Sequence, residues 1–399
     1  MSGLLPIECA LEAMMEVVSP ISGREIKGLY ESLGRVLAEP YYARINTPPA
    51  DNSAMDGYAL AHSNAGEVLE ISQRIPAGAS PEPLIPGTAA RIFTGAVVPP
   101  GADVVVMQED CEERDGFVKV PADLIQGDNI RLRGSDVPEG SLLFNAGTVL
   151  TPPALALMAS QGFHRLTCYR RPKVGLLQSG DELYEPGTEP LPQGGIYNSN
   201  RSLLEALVAQ CGAEVIGVWH VKDDLESTCD ALLEAVAQSD VVITTGGVSV
   251  GDEDHIKPAI ERLGSLDLWR LALKPGKPFA FGSIGGVPIL GLPGNPSSVL
   301  VTFSILVRPV LFRLCGAQSA ELPTFWVRSA FDFTGGLRAE FLRGQITSRE
   351  QQTYAHVLRN QSSGALRAAS ESDVLIKIPV GASISEGDPI EVIPLKALF

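Results

Sequence analysis

The amino-acid sequence predicts a multidomain protein of the α/β plus β class: a doubly wound, mostly parallel sheet domain, a β-rich inserted domain, a helical linking domain and a small C-terminal β-barrel. Three observations carry that prediction. From Pro172 onward, apolar strand-like runs and helix-period segments take turns, as βαβ units do. On either side, at about Tyr58 to Arg133 and again after Ala317, the pattern changes to short alternating runs cut by Pro, Gly and Ser, which reads as small all-β units. At 399 residues the chain is also too long for one simple core. The boundaries we infer are 1–45 with 137–171 for the linking domain, 46–136 for the insertion, 172–317 for the α/β domain and 318–399 for the barrel.

In chain order, Ile7, Ala10, Leu11, Met14, Met15 and Val18 fall at helical spacing behind Pro6, and Leu29 to Leu37 reads as a second short helix. The loop Asn46 to Tyr58 holds paired prolines followed by Asp, Asn, Ser and Gly, an ordered turn for which Met55 and Tyr58 are the expected anchors. Strand runs follow at Val68 to Ile71, Ala90 to Phe93, Asp103 to Met107 and Phe117 to Val120. Thr151 caps a helix expected to reach Gln161 and to pack back on the N-terminal helices. The alternating region then gives strand Lys173 to Leu177, helix Arg201 to Cys211, strand Glu214 to Trp219, helix Asp224 to Gln238 and strand Asp240 to Thr244. A strand at Leu268 to Leu273, a hairpin of Phe279 to Phe281 with Val287 to Leu290, and a helix from Pro296 to about Leu314 complete that domain. Five short runs, starting near Phe325, Phe341, Tyr354, Val374 and Ile390, form the expected barrel.

Charge and cysteine usage narrow the function. Lys plus Arg is 31 against 47 for Asp plus Glu, so the formal charge is 31 − 47 = −16, which argues against nucleic acid or an anionic membrane as principal partner. Any bound anion needs a local basic pocket. The six cysteines show no C-x-x-C pair and read as reduced thiols, and neither a signal-peptide pattern nor an uninterrupted apolar run of spanning length is present. A soluble cytoplasmic protein is expected.

Two loops carry the chemistry. In the run Asp240 to Asp254 a continuous apolar strand breaks into Gly246, Gly247 and Gly251 and ends in Asp252, Glu253 and Asp254 before a helix. In an open α/β sheet, ligands sit beyond the carboxyl ends of strands, where such loops offer backbone N–H groups, and the acids offer hard oxygens to Mg²⁺. An ordinary βα turn with a solvated acidic helix start reads equally well from this stretch alone. The second loop, Gly291-Leu-Pro-Gly-Asn-Pro-Ser-Ser298, puts Asn295 at an N-cap and Ser297 and Ser298 in the first turn of the apolar helix, with Lys274-Pro-Gly-Lys-Pro278 one hairpin earlier. Solvated lysines and simple capping are the bland alternatives. Acids recur at the same sheet edge, at Asp181-Glu182 and Asp223-Asp224. Carboxylates facing lysines suit Mg²⁺ on a phosphate or pyrophosphate with a second oxyanion held nearby. His164 and His255 lie in no arrangement that spacing supports as a catalytic triad.

Seven ordered stretches make the chain resemble the MoeA family, the molybdopterin molybdenumtransferases, to which the E domain of gephyrin also belongs. They are Asp51 to Ala59, Arg91 to Ala96 with Pro100 to Val104, Asn129 to Asp136, Ser179 to Leu183, Thr245 to Gly251 with Asp254 and Lys257, Lys274 to Pro278, and Gly291 to Ser298. The resemblance implies a MogA-like α/β domain and molybdenum cofactor biosynthesis: insertion of molybdate into adenylylated molybdopterin, with release of AMP and Mg²⁺ assistance. It places the oxyanion on Lys274, Lys277 and Ser298, with Gly246, Gly247, Ser249 and Ser297 in the substrate-binding set, and gives the metal to Glu182, Asp224 and Asp254. Asp56, Thr94 and Asp136 would border the cleft as catalytic residues with the two lysines. The family's dimer brings the last domain of one subunit toward the α/β domain of its mate, which makes Arg343 and Ser363 candidates on that wall. Other cofactor-pathway proteins are further expected partners. Ala50, where the family has an aromatic, and Asp252-Glu253, where it has a Glu-aromatic pair, depart from the pattern. Two other readings stay open: a dimeric scaffold of the gephyrin E type, and adenylylation of molybdopterin by the α/β domain. Tungstate, a tetrahedral dianion of similar size, remains an alternative to molybdate.

Overall fold

Strand Lys173–Ser179 lies inside a six-stranded sheet, pairing in parallel with Glu214–Val221 on one side and Val241–Thr245 on the other. Beyond Val241–Thr245 come Val287–Leu292 in parallel, then Ala280–Ile284 and Ser265–Trp269 as an antiparallel edge. The computed structural model describes residues 4–248 and 254–395. Successive side chains of these strands point to opposite faces, and both faces are apolar. Val174, Leu176, Val241, Ile243 and Leu290 meet helix Ser199–Gln210 and the helix Pro296–Leu314, while Leu177, Val242 and Ile289 meet helices Leu225–Gln238 and Ile256–Leu263. The parallel, doubly wound prediction holds, with an antiparallel edge.

Helix Pro296–Leu314 has the length and composition to cross a membrane, yet 89% of it is buried inside the protein. It is the core helix of the α/β unit, and its middle turn, Phe303–Val307, is a π stretch. The first helix, Ile7–Val17, packs on this same core. Ile7, Ala10 and Met14 are buried with Leu271, Phe279, Val310 and Leu311. Leu5 anchors it, donating from its N–H to Arg270 O and accepting at its carbonyl from Ala272 N.

This changes the linking unit. Helix Pro152–Ser160, capped by Thr151, does not meet the first helix; it buries Ala154 and Met158 against Leu29, Leu37, Tyr41, Phe163 and Leu166. The expected helix over Leu29 to Leu37 is only a 3-10 turn at Leu29–Glu31. Gly34 takes φ +70°, a left-handed conformation, and the chain beyond it runs extended, Val36 bridging to Val149 and Leu37 to Cys168. Of the apolar residues that mimic a helical stripe, Leu29 is buried from the turn and Val36 and Leu37 from the extended segment, while Leu33 is exposed.

In the β-rich unit a six-stranded sheet runs in the order Val104–Met107, Gly57–Leu60, Thr88–Ile92, Val68–Ile75, Phe117–Lys119, Glu112–Arg114. Tyr58 anchors the preceding loop at 3% exposure, whereas Met55 is exposed and anchors nothing. The C-terminal strands close a five-stranded barrel. Phe325–Ser329 pairs with Gln352–Val357 and Pro389–Pro394, Ala339–Arg349 pairs with Gln352–Val357 and Val374–Ile378, and Val374–Ile378 pairs with Pro389–Pro394. The two-residue strand Leu273–Lys274 of the α/β unit joins this barrel directly, in parallel with Ala339 and Glu340.

Met14 is fully buried and Tyr30 is 94% exposed, which gives a matched pair for testing where the first helix docks. Met14→Ala should cost about 2–5 kcal/mol by cavity formation, and Tyr30→Ala no more than about 0.5 kcal/mol. Urea unfolding followed by fluorescence checks both; a Met14 variant as stable as the parent would remove the first helix from the core.

Candidate active site: two adjoining clefts at the sheet edge

The carboxyl ends of Lys173–Ser179, Val241–Thr245 and Val287–Leu292 open onto a cleft of about 290 Å³, lined by Ser179, Glu182, Asn198, Asn200, Thr245, Gly246 and Asn295 among others. Gly246 lines it, and Gly247 follows in the chain. Gly246 has φ +83°, and a Cβ there would lie 2.6 Å from Ser179 O; Gly247 has φ +63°, with Ile256 2.8 Å from the same imagined atom. No side chain fits either position without moving the sheet edge. Asn198 caps helix Ser199–Gln210 through Arg201 N at 3.2 Å and donates to Gln178 Oε1 at 2.7 Å, while Asn200 donates to Gly294 O at 2.6 Å. Gln178 Nε2, Asn200 Oδ1 and Thr244 Oγ1 are buried without a hydrogen-bond partner. An orphaned buried polar atom costs about 1–3 kcal/mol; of these three residues Asn200 lines the cleft, where its acceptor is matched to a polar ligand, while Gln178 and Thr244 lie buried behind it.

A second cleft, of about 390 Å³, shares Asn295 with the first. Its walls bring Lys274, Lys277, Ser298, Arg338, Glu340, Arg343, Gln361 and Ser363 together in one chain. Four basic side chains face one carboxylate, inside a protein of formal charge −16. Arg343 is 1% exposed; its Nη2 donates to Ser362 O at 3.0 Å, its Nε has no partner, and no carboxylate pairs with it among the described residues. Burial lowers its pKa. A desolvated guanidinium without a counter-ion is expensive, and an oxyanion in the cleft would relieve that cost. Lys277, exposed, also has no ion-pair partner among the described residues, whereas Lys274 Nζ stands 2.9 Å from Glu340 Oε2, an ion pair without hydrogen-bond alignment.

The helix start between the clefts differs from expectation. Asn295 occupies the N-cap position but makes no side-chain cap, so its amide stays at the junction. Ser297 is no ligand here: its N–H donates to Ser363 O at 2.9 Å and its Oγ to Ala365 O at 3.0 Å, because the loop after Gln361 docks on this helix turn. Ser298 lines the second cleft. Arg343 and Ser363, expected on a wall toward a mate's α/β domain, stand beside Lys274 and Lys277 of their own chain.

The acids divide. Glu182 lines the first cleft. Asp224 is the N-cap of helix Leu225–Gln238, accepting from Ser227 N at 2.8 Å, and hydrogen bonding from the Ser227 side chain and then its backbone lowers its pKa. Asp223 ties down the neighbouring loop through Ser179 Oγ at 2.6 Å and Asp181 N at 3.3 Å. Asp254 lines neither cleft, and among the described residues no three His, Cys, Asp or Glu side chains gather to hold a metal. Ser249, Gly251, Asp252 and Glu253 lie outside the described residues. Asp56, Thr94 and Asp136 are exposed on the β-rich side and line neither cleft. Asp56 Oδ1 accepts from both Thr94 N and Thr94 Oγ1 at 2.7 Å, which holds its carboxyl below the usual aspartate value.

Sequence reasoning missed Arg338, Glu340, Gln361, Asn198 and Asn200 as cleft residues. The one available signal was the pair Glu340 and Arg343, charges inside an otherwise apolar strand run.

Comparison with known proteins agrees with this layout. Residues 5–162 match the MoeA N-terminal region (domain I and II), 175–313 a probable molybdopterin binding domain, and 327–395 the MoeA C-terminal region (domain IV). A molybdopterin molybdenumtransferase of Haemophilus influenzae is 36% identical over 99% of this chain and 100% of its own length. A protein of that name from a Nostoc species is 37% identical over 93% of this chain and 88% of its own. The crystal structure of a molybdopterin biosynthesis MoeA protein from Pyrococcus horikoshii OT3 superposes with TM-score 0.85 at 27% identity, covering 98% of this chain and 100% of that one. With relatives matched from end to end and the three family regions following one another along the chain, this protein belongs to the MoeA family of molybdopterin molybdenumtransferases.

Proposed function

We propose that this chain inserts molybdate into adenylylated molybdopterin and releases AMP, a step of molybdenum cofactor biosynthesis. The observation that carries the reading is the second cleft, where Lys277 and the buried, uncompensated Arg343 face one point on the helix start at Ser298. Molybdate is a small tetrahedral dianion, and two cations with a hydroxyl suit it by charge and by hydrogen-bond count. The adjoining first cleft offers neutral amides and bare backbone at Gly246, the surface a heterocycle with many donors and acceptors requires. Because the clefts meet at Asn295, an oxyanion in one and a pterin in the other lie end to end, and the chain's contribution is to hold them in that order.

Magnesium dependence belongs to this reading on one ground. The ion is commonly held by one or two carboxylates together with substrate phosphates, so Glu182 at the cleft suffices from the protein side although the acids form no cage. When bound, it would neutralise phosphate charge and favour departure of AMP. A homodimer is equally part of the reading: Asp56, Thr94 and Asp136 line neither cleft of their own chain, and a second copy would present them to it. Six free cysteines, four of them buried, support a cytoplasmic setting.

Purified protein given adenylylated molybdopterin and Mg²⁺ should release AMP only when molybdate is added; release without molybdate would refute insertion, and ATP consumption would favour adenylylation. Lys277→Ala should raise the molybdate concentration for half-maximal AMP release by about 10- to 100-fold, the worth of one charged hydrogen bond, with melting temperature unchanged. Thr94→Val should move the Asp56 carboxyl back up toward its ordinary value, since one of two donors to the carboxylate is lost. With a depressed pKa, stabilisation by this pair is present above the unfolded aspartate pKa and is lost as pH falls through the lower folded value. A carbon-detected NMR titration that finds no difference between parent and Thr94→Val would refute the assignment.

A further inference from the structure

The two lysines of the oxyanion cleft are not equivalent, and the difference is built into the main chain. Lys274 sits on the two-residue strand paired in parallel with Ala339 and Glu340, so both ends of its ion pair are fixed by backbone register. Arg338 secures the same strand by donating to Leu273 O at 3.2 Å. The Glu340 side chain is 5% exposed, and its other contact is Gly336 N at 3.3 Å. An anion that drew Lys274 away would leave a carboxylate buried and unpaired, which is strongly unfavourable. Lys277, one turn of the loop away, carries no such partner among the described residues, and Arg343 Nε is likewise unmatched.

We propose that Glu340 is a positioning residue that holds Lys274 as a compensated cation, so that the oxyanion is bound by Lys277 and Arg343 and at a strength that the Glu340 charge keeps down. This rests on the cleft being the oxyanion site. The consequence for turnover is direct. Four basic side chains without a carboxylate would retain a dianion tightly; one buried negative charge beside them lowers the affinity and eases exchange.

Two measurements decide it. In isothermal titration calorimetry with molybdate, Glu340→Gln, which keeps the shape and the acceptor for Gly336 N, should bind about tenfold tighter than the parent because a like charge near the anion is gone. The molybdate KM should fall in parallel. A merely structural role predicts the opposite, and a folded variant with unchanged or weaker binding overturns the proposal. Should that variant not fold, a crystal of the parent soaked in tungstate gives the answer through anomalous scattering. A peak against Lys277 and Arg343 with the Lys274–Glu340 pair intact supports it; a peak whose first contact is Lys274, with the pair broken, overturns it. No peak in this cleft, together with no molybdate binding by the parent, removes the cleft reading and this proposal with it.

Discussion

The structure depends most on a pairing of two residues, Leu273–Lys274 alongside Ala339 and Glu340. It is the point where the α/β unit and the barrel share a sheet. A second seam lies across the cleft, where Ser297 N and Oγ donate to Ser363 O and Ala365 O. Between these seams lies the cationic cleft, so every side chain in it projects from backbone fastened to both units. Sites held that way keep their geometry, because neither unit can rotate without breaking main-chain hydrogen bonds. The two seams also place Arg343 and Ser363 beside Lys274 and Lys277 of the same molecule.

Electrostatics at the opposite side of the sheet edge follow a different logic. The chain is strongly acidic, yet two acids near the carboxyl ends of the strands are spent on local structure: Asp223 ties the loop after Ser179 and Asp224 caps a helix. Such acids stabilise what they touch and leave the first cleft lined mostly by amides and hydroxyls, with Glu182 as its carboxylate. The protein therefore has a nearly neutral cleft beside a positive one, and an overall charge of −16 predicts neither.

How much of this was legible in the sequence follows from the range of the interactions. The alternation after Pro172 and the unbroken apolar run at Val241–Thr245 are local patterns, and they gave the parallel sheet directly. Lys274, Lys277 and Ser298 were legible because loops at strand ends fall on one edge by topology. The failures were all nonlocal. Leu29 to Leu37 had helical spacing but folds as a turn and extended chain; the first helix had an apolar face with nothing in the sequence to say which core it would meet; and Ser297 looked available until a loop some 65 residues later took both its donors. Glu340 was missed for the same reason, since its significance comes from a partner on another unit.

On the proposed function, a reason for two clefts side by side lies in what each would exclude. A single pocket rich in cations would bind the phosphates of an adenylylated substrate wherever they landed, with the reacting end free to point away. Separate clefts avoid that. The amide-lined cleft, with its orphaned Asn200 atom, rewards a ligand that presents hydrogen-bonding edges, while the cationic cleft rewards compact charge. The shared residue, Asn295, stands at the junction of the two clefts and its side chain makes no cap bond, whereas Asn198 and Asp224 both spend theirs on the helix that follows. An amide held at that junction and not committed to its own helix has both a donor and an acceptor to offer across the boundary, and on the proposed function it would order the two substrates where the clefts meet.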